Sequence, residues 1–204
     1  IIVDDASRDK SGEIAKRLSK EFSQLKVLDN LVNLGQATSI LRGFRVARGD
    51  LIFHNGVDAP FDIDDFKEML PLLADADVVV ASRTGRSASS LWRKITSIVN
   101  KSLLHLLFRP GVSDTNFIQI YKKRVLEDPD VINVFARSPA FVTPELIIRS
   151  RKKGYKIAQF NTEFHRRKAG KPNCGRPHDI IWTLYDMLRF RIKLFSLKVS
   201  PSSR

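Results

Sequence analysis

The sequence predicts an α/β protein in which a mostly parallel sheet is flanked by helices. Short apolar segments alternate along the chain with longer segments whose apolar residues recur every three or four positions. The first pattern is typical of buried strands and the second of amphipathic helices, so their alternation indicates successive βα units. An apolar fraction of 43% is ordinary for a globular domain with a buried core.

Each predicted element follows from its local pattern. Helix 11–22, for example, places Ile14, Leu18 and Phe22 on one face, and Gly49-Asp50 ends the helix that begins at Gln36. The predicted strands are 1–3, 27–28, 51–53, 77–81, 117–121 and 155–160, and the predicted helices are 11–22, 36–48, 62–73, 89–108, 144–153 and 180–197. The first strand starts at residue 1 and already ends in paired carboxylates. We therefore expect the first strand of the sheet to be missing and the chain to be incomplete at its N-terminus.

Positive charge is concentrated near the C-terminus. Residues 149–204 hold 15 of the 35 Lys and Arg residues but only 3 of the 22 Asp and Glu residues. Such asymmetry indicates a nucleic acid, an anionic membrane surface or a phosphorylated substrate as partner, although a solvated basic face is the alternative. The last helix is basic and amphipathic, which suits a membrane interface, and its aromatics fit this form better than a base-stacking platform. Nucleic acid is therefore disfavoured.

Two classes of protein are excluded by composition. Cys174 is the only cysteine, which excludes an internal disulfide and a thiol-rich metal site. No run of about 18 uncharged apolar residues occurs, so no membrane-spanning helix is predicted. We divide the chain into a domain at 1–175 and a basic amphipathic C-terminal helix and tail at 176–204.

Polar side chains follow several of the predicted strands. The carboxyl ends of parallel strands lie at one edge of a sheet, where α/β proteins bind ligands. Carboxylates there can accept hydrogen bonds from ribose hydroxyls and base N–H groups, although Asp is also common in strand-end turns. For Asp58 a helix-capping role is the alternative, and for Asp114 a turn. The candidates at or near these strand ends are Asp4, Asp5, Ser7, Asn33, Gly35, Asp58, Ser82 and Arg83, and Asp114, before the predicted strand 117–121, is a further candidate.

These candidates lie within segments whose order and spacing are specific together, although each is weak alone. The segments are Val3-Asp4-Asp5-Ala6-Ser7, Asn33-Leu34-Gly35, Ala47-Arg48-Gly49-Asp50, Ala81-Ser82-Arg83, Val112-Ser113-Asp114-Thr115, Glu145-Leu146-Ile147 with Gly154-Tyr155-Lys156-Ile157, and Arg167-Lys168-Ala169-Gly170-Lys171. In this order they resemble the family 2 glycosyltransferases with the GT-A (Rossmann-like) fold. Within the family they resemble in particular the polyprenol-phosphate (dolichol-phosphate) mannosyl- and glucosyltransferases.

The resemblance implies transfer of a sugar from a nucleoside diphosphate donor to a membrane-associated acceptor, such as a polyprenyl phosphate. Asp4 and Asp5, with Ser7, Asn33 and Gly35, are implied to bind the donor. Asp58 is implied to hold a divalent metal, Mg²⁺ or Mn²⁺, although the family's Asp-x-Asp appears here as Gly56-Val57-Asp58. The residues implied to neutralise or contact phosphate are Ser82, Arg83, Arg167 and Lys171.

The catalytic role depends on the acceptor. A lipid phosphate is already anionic and needs no strong base, whereas for a hydroxyl acceptor Asp114 is the candidate general base. Where relatives carry an arginine that faces phosphate, this chain has Gln119. We expect a cytoplasmic protein that is peripheral on the cytosolic face of a membrane. The alternative is a catalytically weakened or inactive relative that still binds nucleotide sugar or lipid.

Overall fold

The computed structural model describes residues 1–56, 63–84, 91–163 and 177–194. These residues contain six strands and eight α-helices, which confirms the predicted α/β class. By its contacts the chain divides into two units, Ile1–Asp50 and Leu51–Arg204. The predicted boundary between residues 175 and 176 is a different division, and it stays a prediction.

The first unit consists of two parallel strands and two helices. Strands β1 (Ile2–Asp4) and β2 (Val27–Asp29) pair with Ile2 opposite Val27 and Asp4 opposite Asp29. Helix α1 (Ser11–Glu21) connects them, and α2 (Gln36–Val46) follows β2. The buried residues of α2 recur at helical spacing and pack against β1. The carboxyl ends of both strands, with Asp4 and Asp29, therefore lie at the same edge of the pair.

The second unit contains a four-stranded sheet in the order β3-β5-β4-β6. Its strands are β3 (Leu51–Phe53), β4 (Val78–Thr84), β5 (Gln119–Lys122) and β6 (Ile157–Glu163). Strands β4 and β6 are parallel along their whole length, whereas β5 is antiparallel to both β3 and β4. Apolar runs predict strands but carry no direction, so the orientation of β5 could not be predicted.

Several helices of this unit differ from their predicted bounds. They are α3 (Ile63–Met69), α4 (Leu91–Phe108), α5 (Lys123–Glu127), α6 (Pro129–Ile132), α7 (Pro139–Lys152) and α8 (Pro177–Leu194). Helix α7 begins five residues before the predicted start, because Ser138 caps it by accepting from the Ala140 N–H at 3.3 Å. Pro139 then occupies the first turn, where its missing N–H costs nothing. Helices α5 and α6 are too short for a periodic pattern, and sequence analysis missed them.

The second unit contains fully buried strand residues and a cluster of rings from three helices. Val78 to Ala81 of β4 and Tyr121 of β5 are fully buried. Phe108, Phe141 and Phe190, from α4, α7 and α8, form a ring cluster with centroids 5.6–5.9 Å apart. Aromatic clusters of this geometry add to the stability gained from burial alone. They fix α8 against the rest of the unit.

No helix within these described ranges is both long enough and apolar enough to cross a bilayer.

Candidate functional site

The predicted site residues form two groups, one within each unit. The first unit holds Asp4, Asp5, Ser7, Asn33 and Gly35, and the second holds Ser82, Arg83 and Asp114. Asp58, Arg167 and Lys171 lie outside the described residues.

Asp5 connects the end of β1 to the start of α2. Its Oδ1 accepts from Asn30 Nδ2 at 2.7 Å and from the Leu34 N–H at 2.8 Å, and its Oδ2 accepts from the Gly35 N–H at 2.8 Å. Asn33 Nδ2 donates to the Asp5 carbonyl at 3.1 Å. A carboxylate has about four acceptor positions, so hydrogen bonds within the unit occupy most of those on Asp5.

The charged form of Asp5 is favoured in the folded chain. Partial burial acts to raise the pKa of Asp5, but hydrogen bonds from Asn30, Leu34, Gly35 and Ser39 together outweigh it, so the pKa is lowered. The carboxylate also lies beside the N-terminus of α2, where negative charge is favourable. Asp5 therefore has a structural role that sequence analysis did not predict.

Asp4 is the more open of the two carboxylates. Its Oδ1 accepts from the Ser7 N–H at 3.3 Å and from the Ser7 hydroxyl. Within the described part of the chain, its Oδ2 accepts no hydrogen bond. The first turn of α1 approaches this oxygen closely, since a Cβ built on Gly12 would lie 2.7 Å from it. The glycine at residue 12 therefore leaves room for the Asp4 carboxylate in the position observed.

Between these carboxylates and Ser7, the backbone of Ala6 is strained. Ala6 has φ 57°, the left-handed region that glycine adopts without a steric penalty. We expect Ala6→Gly to raise the free energy of unfolding by about 0.5–1 kcal/mol, because relief of this strain exceeds the added entropy of the unfolded chain. Urea denaturation would measure the difference.

The matched control for this prediction is Ala47→Gly. Ala47 has φ −66°, which alanine adopts without strain, so glycine there should lower the stability slightly. A loss of stability in Ala6→Gly equal to that of the control would contradict the argument.

Asn30 and Arg42 belong to the first group although sequence analysis missed them. Asn30 is 5% exposed, and its Nδ2 also donates to Ser39 Oγ at 3.0 Å. Arg42 donates to Asn30 Oδ1 and, at 2.6 Å, to the Asp29 carbonyl. The position of Asn30 two residues after the predicted strand 27–28 was the available signal. These contacts hold the amide that supports Asp5.

In the second unit, Arg83 and Asp114 form an ion pair. Arg83 Nε donates to Asp114 Oδ2 at 2.6 Å, and Arg83 Nη2 donates to Asp114 Oδ1 at 3.2 Å. Asp114 Oδ1 also accepts from the Asn116 N–H at 3.0 Å. The guanidinium further lies 4.8 Å from the centroid of the Phe117 ring. The structure thus brings these two predicted residues together, with Arg83 held in a fixed orientation.

Ser82 lies next to this pair at the end of β4 and is 4% exposed. Its hydroxyl is hydrogen bonded to that of Ser113, whose N–H donates to Gln159 Oε1 at 2.7 Å. Gln159, on β6, orients the loop that carries Asp114, and no sequence signal indicated this role. The burial of Ser82 gives it a positioning role in this structure.

Gln119, which stands where relatives carry an arginine, lies in the core of the second unit. Gln119 is fully buried, and its Nε2 donates to the Thr115 carbonyl at 2.7 Å. Tyr121 donates its hydroxyl proton to Gln119 Oε1. Because β5 is a central strand of the sheet, these polar side chains are buried, and hydrogen bonds within the core provide their partners.

Metal binding cannot be assigned to the residues described above. Among the residues that the structure describes, no three His, Cys, Asp or Glu side chains form a group that could hold a metal ion. The metal role of Asp58 stays a prediction.

The chain belongs to glycosyl transferase family 2, whose model matches residues 1–142. This is the family that the ordered segments predicted.

Two curated relatives are transferases named for lipid phosphates. A dolichyl-phosphate beta-glucosyltransferase of Trichomonas vaginalis is 28% identical over 81% of this chain and 53% of its own length. An undecaprenyl-phosphate 4-deoxy-4-formamido-L-arabinose transferase of Photorhabdus laumondii is 26% identical over 67% of this chain and 46% of its own. The chain therefore spans about half the length of these relatives.

Solved structures share the fold. Glucosyl-3-phosphoglycerate synthase from Mycobacterium tuberculosis, in complex with UDP, superposes with a TM-score of 0.65 at 17% identity, over 93% of this chain and 67% of the other. Other structures of this synthase contain UDP with Mn²⁺ or Mg²⁺. The S. aureus protein TarS, also bound to UDP, has a TM-score of 0.54 at 16% identity, over 94% of this chain and 55% of the other. These likenesses confirm the GT-A glycosyltransferase fold.

Proposed function

We propose that this chain is part of an enzyme that transfers a sugar from a nucleoside diphosphate, UDP in particular, to a polyprenyl phosphate in a membrane. The observation that carries the proposal is the arrangement of Asp4 and Asp5 at the carboxyl end of β1, next to the N-terminus of α2. The relatives named for dolichyl and undecaprenyl phosphates support the acceptor, and the UDP complexes of the structural neighbours support the donor.

In this proposal the two aspartates have different tasks. Asp5 holds the turn before α2 and contacts the nucleoside beside Asp4. Asp4 offers its unoccupied Oδ2 to a ribose hydroxyl or a base N–H. Asn33 and Gly35 lie in the turn that Asp5 fixes, so their contribution is the shape of the pocket wall. Ser7 holds Asp4 in orientation through Oδ1.

Arg83 is proposed to neutralise a phosphate group, with Asp114 as its positioning partner. A lipid phosphate is an anionic nucleophile that needs no proton removed, so no general base is required for this acceptor. Both oxygens of Asp114 already accept hydrogen bonds, an arrangement that favours the positioning role over the predicted role as base. Arg167 and Lys171 are proposed as further phosphate ligands.

A divalent metal is proposed at Asp58. Mg²⁺ in proteins is often bound by one or two carboxylates together with substrate phosphates, so one protein carboxylate plus a diphosphate forms a weak but complete set of anionic ligands. When bound, such an ion stabilises the charge on the departing diphosphate. The Gly56 that replaces the first carboxylate is the feature that favours the alternative, a relative that binds donor with reduced turnover.

The test of donor binding uses Gly12→Ala. A methyl group at residue 12 would collide with Asp4 Oδ2, whereas alanine inside α1 should improve the helix by about 0.8–1 kcal/mol. We expect UDP affinity, measured by calorimetry with Mn²⁺ present, to fall about tenfold with no loss of stability, corresponding to about one hydrogen bond of 1.4 kcal/mol.

Gly43→Ala is the matched control, because it makes the same change in α2, where the new methyl would meet Val3 at an ordinary contact of 3.4 Å. Its UDP affinity should be unchanged. Binding of UDP should also weaken in chelator and in Asp58→Ala. A protein that binds no UDP in any of these conditions would refute the proposed function.

A further inference from the structure

Helix α8 has apolar residues on two opposite sides. Each set follows the spacing i, i+4, i+7, i+11, which places its members on one face of a helix. The buried set is Thr183, Met187, Phe190 and Leu194. The other set, here called the outer stripe, is Ile181, Tyr185, Leu188 and Ile192, which are 66%, 51%, 59% and 72% exposed. Sequence analysis predicted a basic amphipathic helix here but did not identify the buried face.

The buried face fixes the direction of the outer stripe. Phe190 packs against Phe108 and Phe141, and the buried Asp186 accepts from the N–H groups of Arg137 and Ser138 at 2.9 and 2.7 Å. Helix α8 is thus held by both ring packing and hydrogen bonds. Rotation of the helix to bury the outer stripe would break both sets of contacts.

Two arginines border the outer stripe. An open cleft of about 490 Å³ lies between them, lined by Arg137, Ile181, Trp182, Tyr185 and Arg189. Within the described ranges, neither arginine lies within 4.0 Å of a carboxylate oxygen. Guanidinium groups match the geometry of phosphate oxygens, and Trp and Tyr are favoured where an apolar region meets a polar one.

We propose that the outer stripe and this cleft form a docking surface for a bilayer of anionic phospholipids. The apolar side chains of the stripe enter the boundary between head groups and acyl chains, as in interfacial amphipathic helices. Arg137 and Arg189 bind the lipid phosphates at the level of Trp182 and Tyr185. This surface does not depend on donor binding, so it stands or falls separately from the proposed function.

The charges favour a bilayer over a second copy of the chain. A two-fold dimer formed through α8 would bring the same face of each copy together. Arg189, Arg191 and Lys193 would then approach their own equivalents in a chain region that carries 15 basic against 3 acidic residues. An anionic surface instead gains from each of these cations, within a Debye length.

The experiment is co-sedimentation of the protein with vesicles of phosphatidylcholine alone and of phosphatidylcholine mixed with phosphatidylserine, at low and high salt. We expect binding to the anionic vesicles that weakens with salt. Arg137→Ala with Arg189→Ala should weaken it about 25-fold, from about fivefold for each basic residue. Leu188→Ser with Ile192→Ser should weaken it tenfold or more, because exposed apolar area no longer enters the bilayer.

Matched controls come from the first unit. Arg17→Ala removes an exposed cation and Leu31→Ser an apolar side chain that is 98% exposed, and neither should change vesicle binding. Equal binding to both vesicle types, no binding, or losses in the controls equal to those in the α8 variants would overturn the proposal. Preferential binding of RNA, or a dimer in solution that Leu188→Ser dissociates, would overturn it as well. Calorimetry with UDP on the same samples separates this outcome from failure of the donor site.

Discussion

Replacement of Glu145 by alanine is expected to lower the free energy of unfolding by about 3–5 kcal/mol, because it leaves Arg149 charged and buried without its partner. Arg149 Nε donates to Glu145 Oε1 at 2.7 Å, and the two side chains are 3% and 0% exposed. The carboxylate also accepts from the N–H groups of Phe135 and Ala136. Urea denaturation measures the loss.

A double replacement distinguishes the net contribution of the ion pair from the cost of leaving one buried charge without its partner. Burial raises the pKa of Glu145 by more than the charge of Arg149 and the two backbone N–H groups lower it, so desolvation of the carboxylate is incompletely offset. An apolar pair of similar volume is therefore expected to be tolerated, and Glu145→Leu with Arg149→Met should lose less stability than Glu145→Ala alone. The single variants Glu145→Leu and Arg149→Met complete the comparison. If the double variant loses as much stability as these two together, the interaction between the two charges does not explain the loss.

Asp5→Ala is expected to cost about 2–3 kcal/mol of stability and to abolish measurable UDP binding. The N–H groups of Leu34 and Gly35 and the amide of Asn30 lose a charged acceptor, and water can satisfy only the exposed ones. Loss of the turn before α2 would also remove the proposed wall of the donor pocket. Denaturation and calorimetry on the same variant measure the two effects.

The stability that Asp5 contributes should depend on pH in a defined direction. Because the pKa of Asp5 is lowered in the folded chain, its contribution is complete above the ordinary value of 3.8 and is lost as the pH falls through the folded value. The stability difference between the unaltered chain and Asp5→Ala should therefore narrow below about pH 4. Asp50→Ala, which removes an exposed carboxylate, is the control and should change stability by less than about 0.5 kcal/mol. A constant difference down to acid pH would contradict the assigned role.

The first unit was predictable because its organisation is local. A strand, a helix and a second parallel strand lie within 29 residues, and each carries a clear hydrophobic period. The strand-end rule located Asp4 and Asp5. It could not reveal that Asp5 is hydrogen bonded to Leu34 and Gly35, since the partners are backbone N–H groups, which every residue possesses.

The second unit was harder to predict because its contacts join distant segments. The partner of Arg83 is Asp114, and the support of Ser113 is Gln159 on another strand. Periodicity identifies the face of an element but not its neighbour. The same reason explains Gln119, whose side chain is satisfied by Thr115 and Tyr121 in the core and not at a ligand.

The order of strands in the second unit has a consequence for the folding of the chain. Leu51 pairs with Lys122, so β3 has no partner in its sheet until about 70 residues later. Val78 pairs with Tyr121 and with Ile157, so β4 gains its first partner about 40 residues later and its second about 80 residues later. During synthesis these apolar strands emerge long before β5 and β6, while β1 and β2 of the first unit pair early. Unpaired strand edges are the usual starting points of aggregation, and folding dominated by distant contacts is slow. We therefore expect the yield of native protein to depend on how well β3 and β4 are protected until residue 163 has been made.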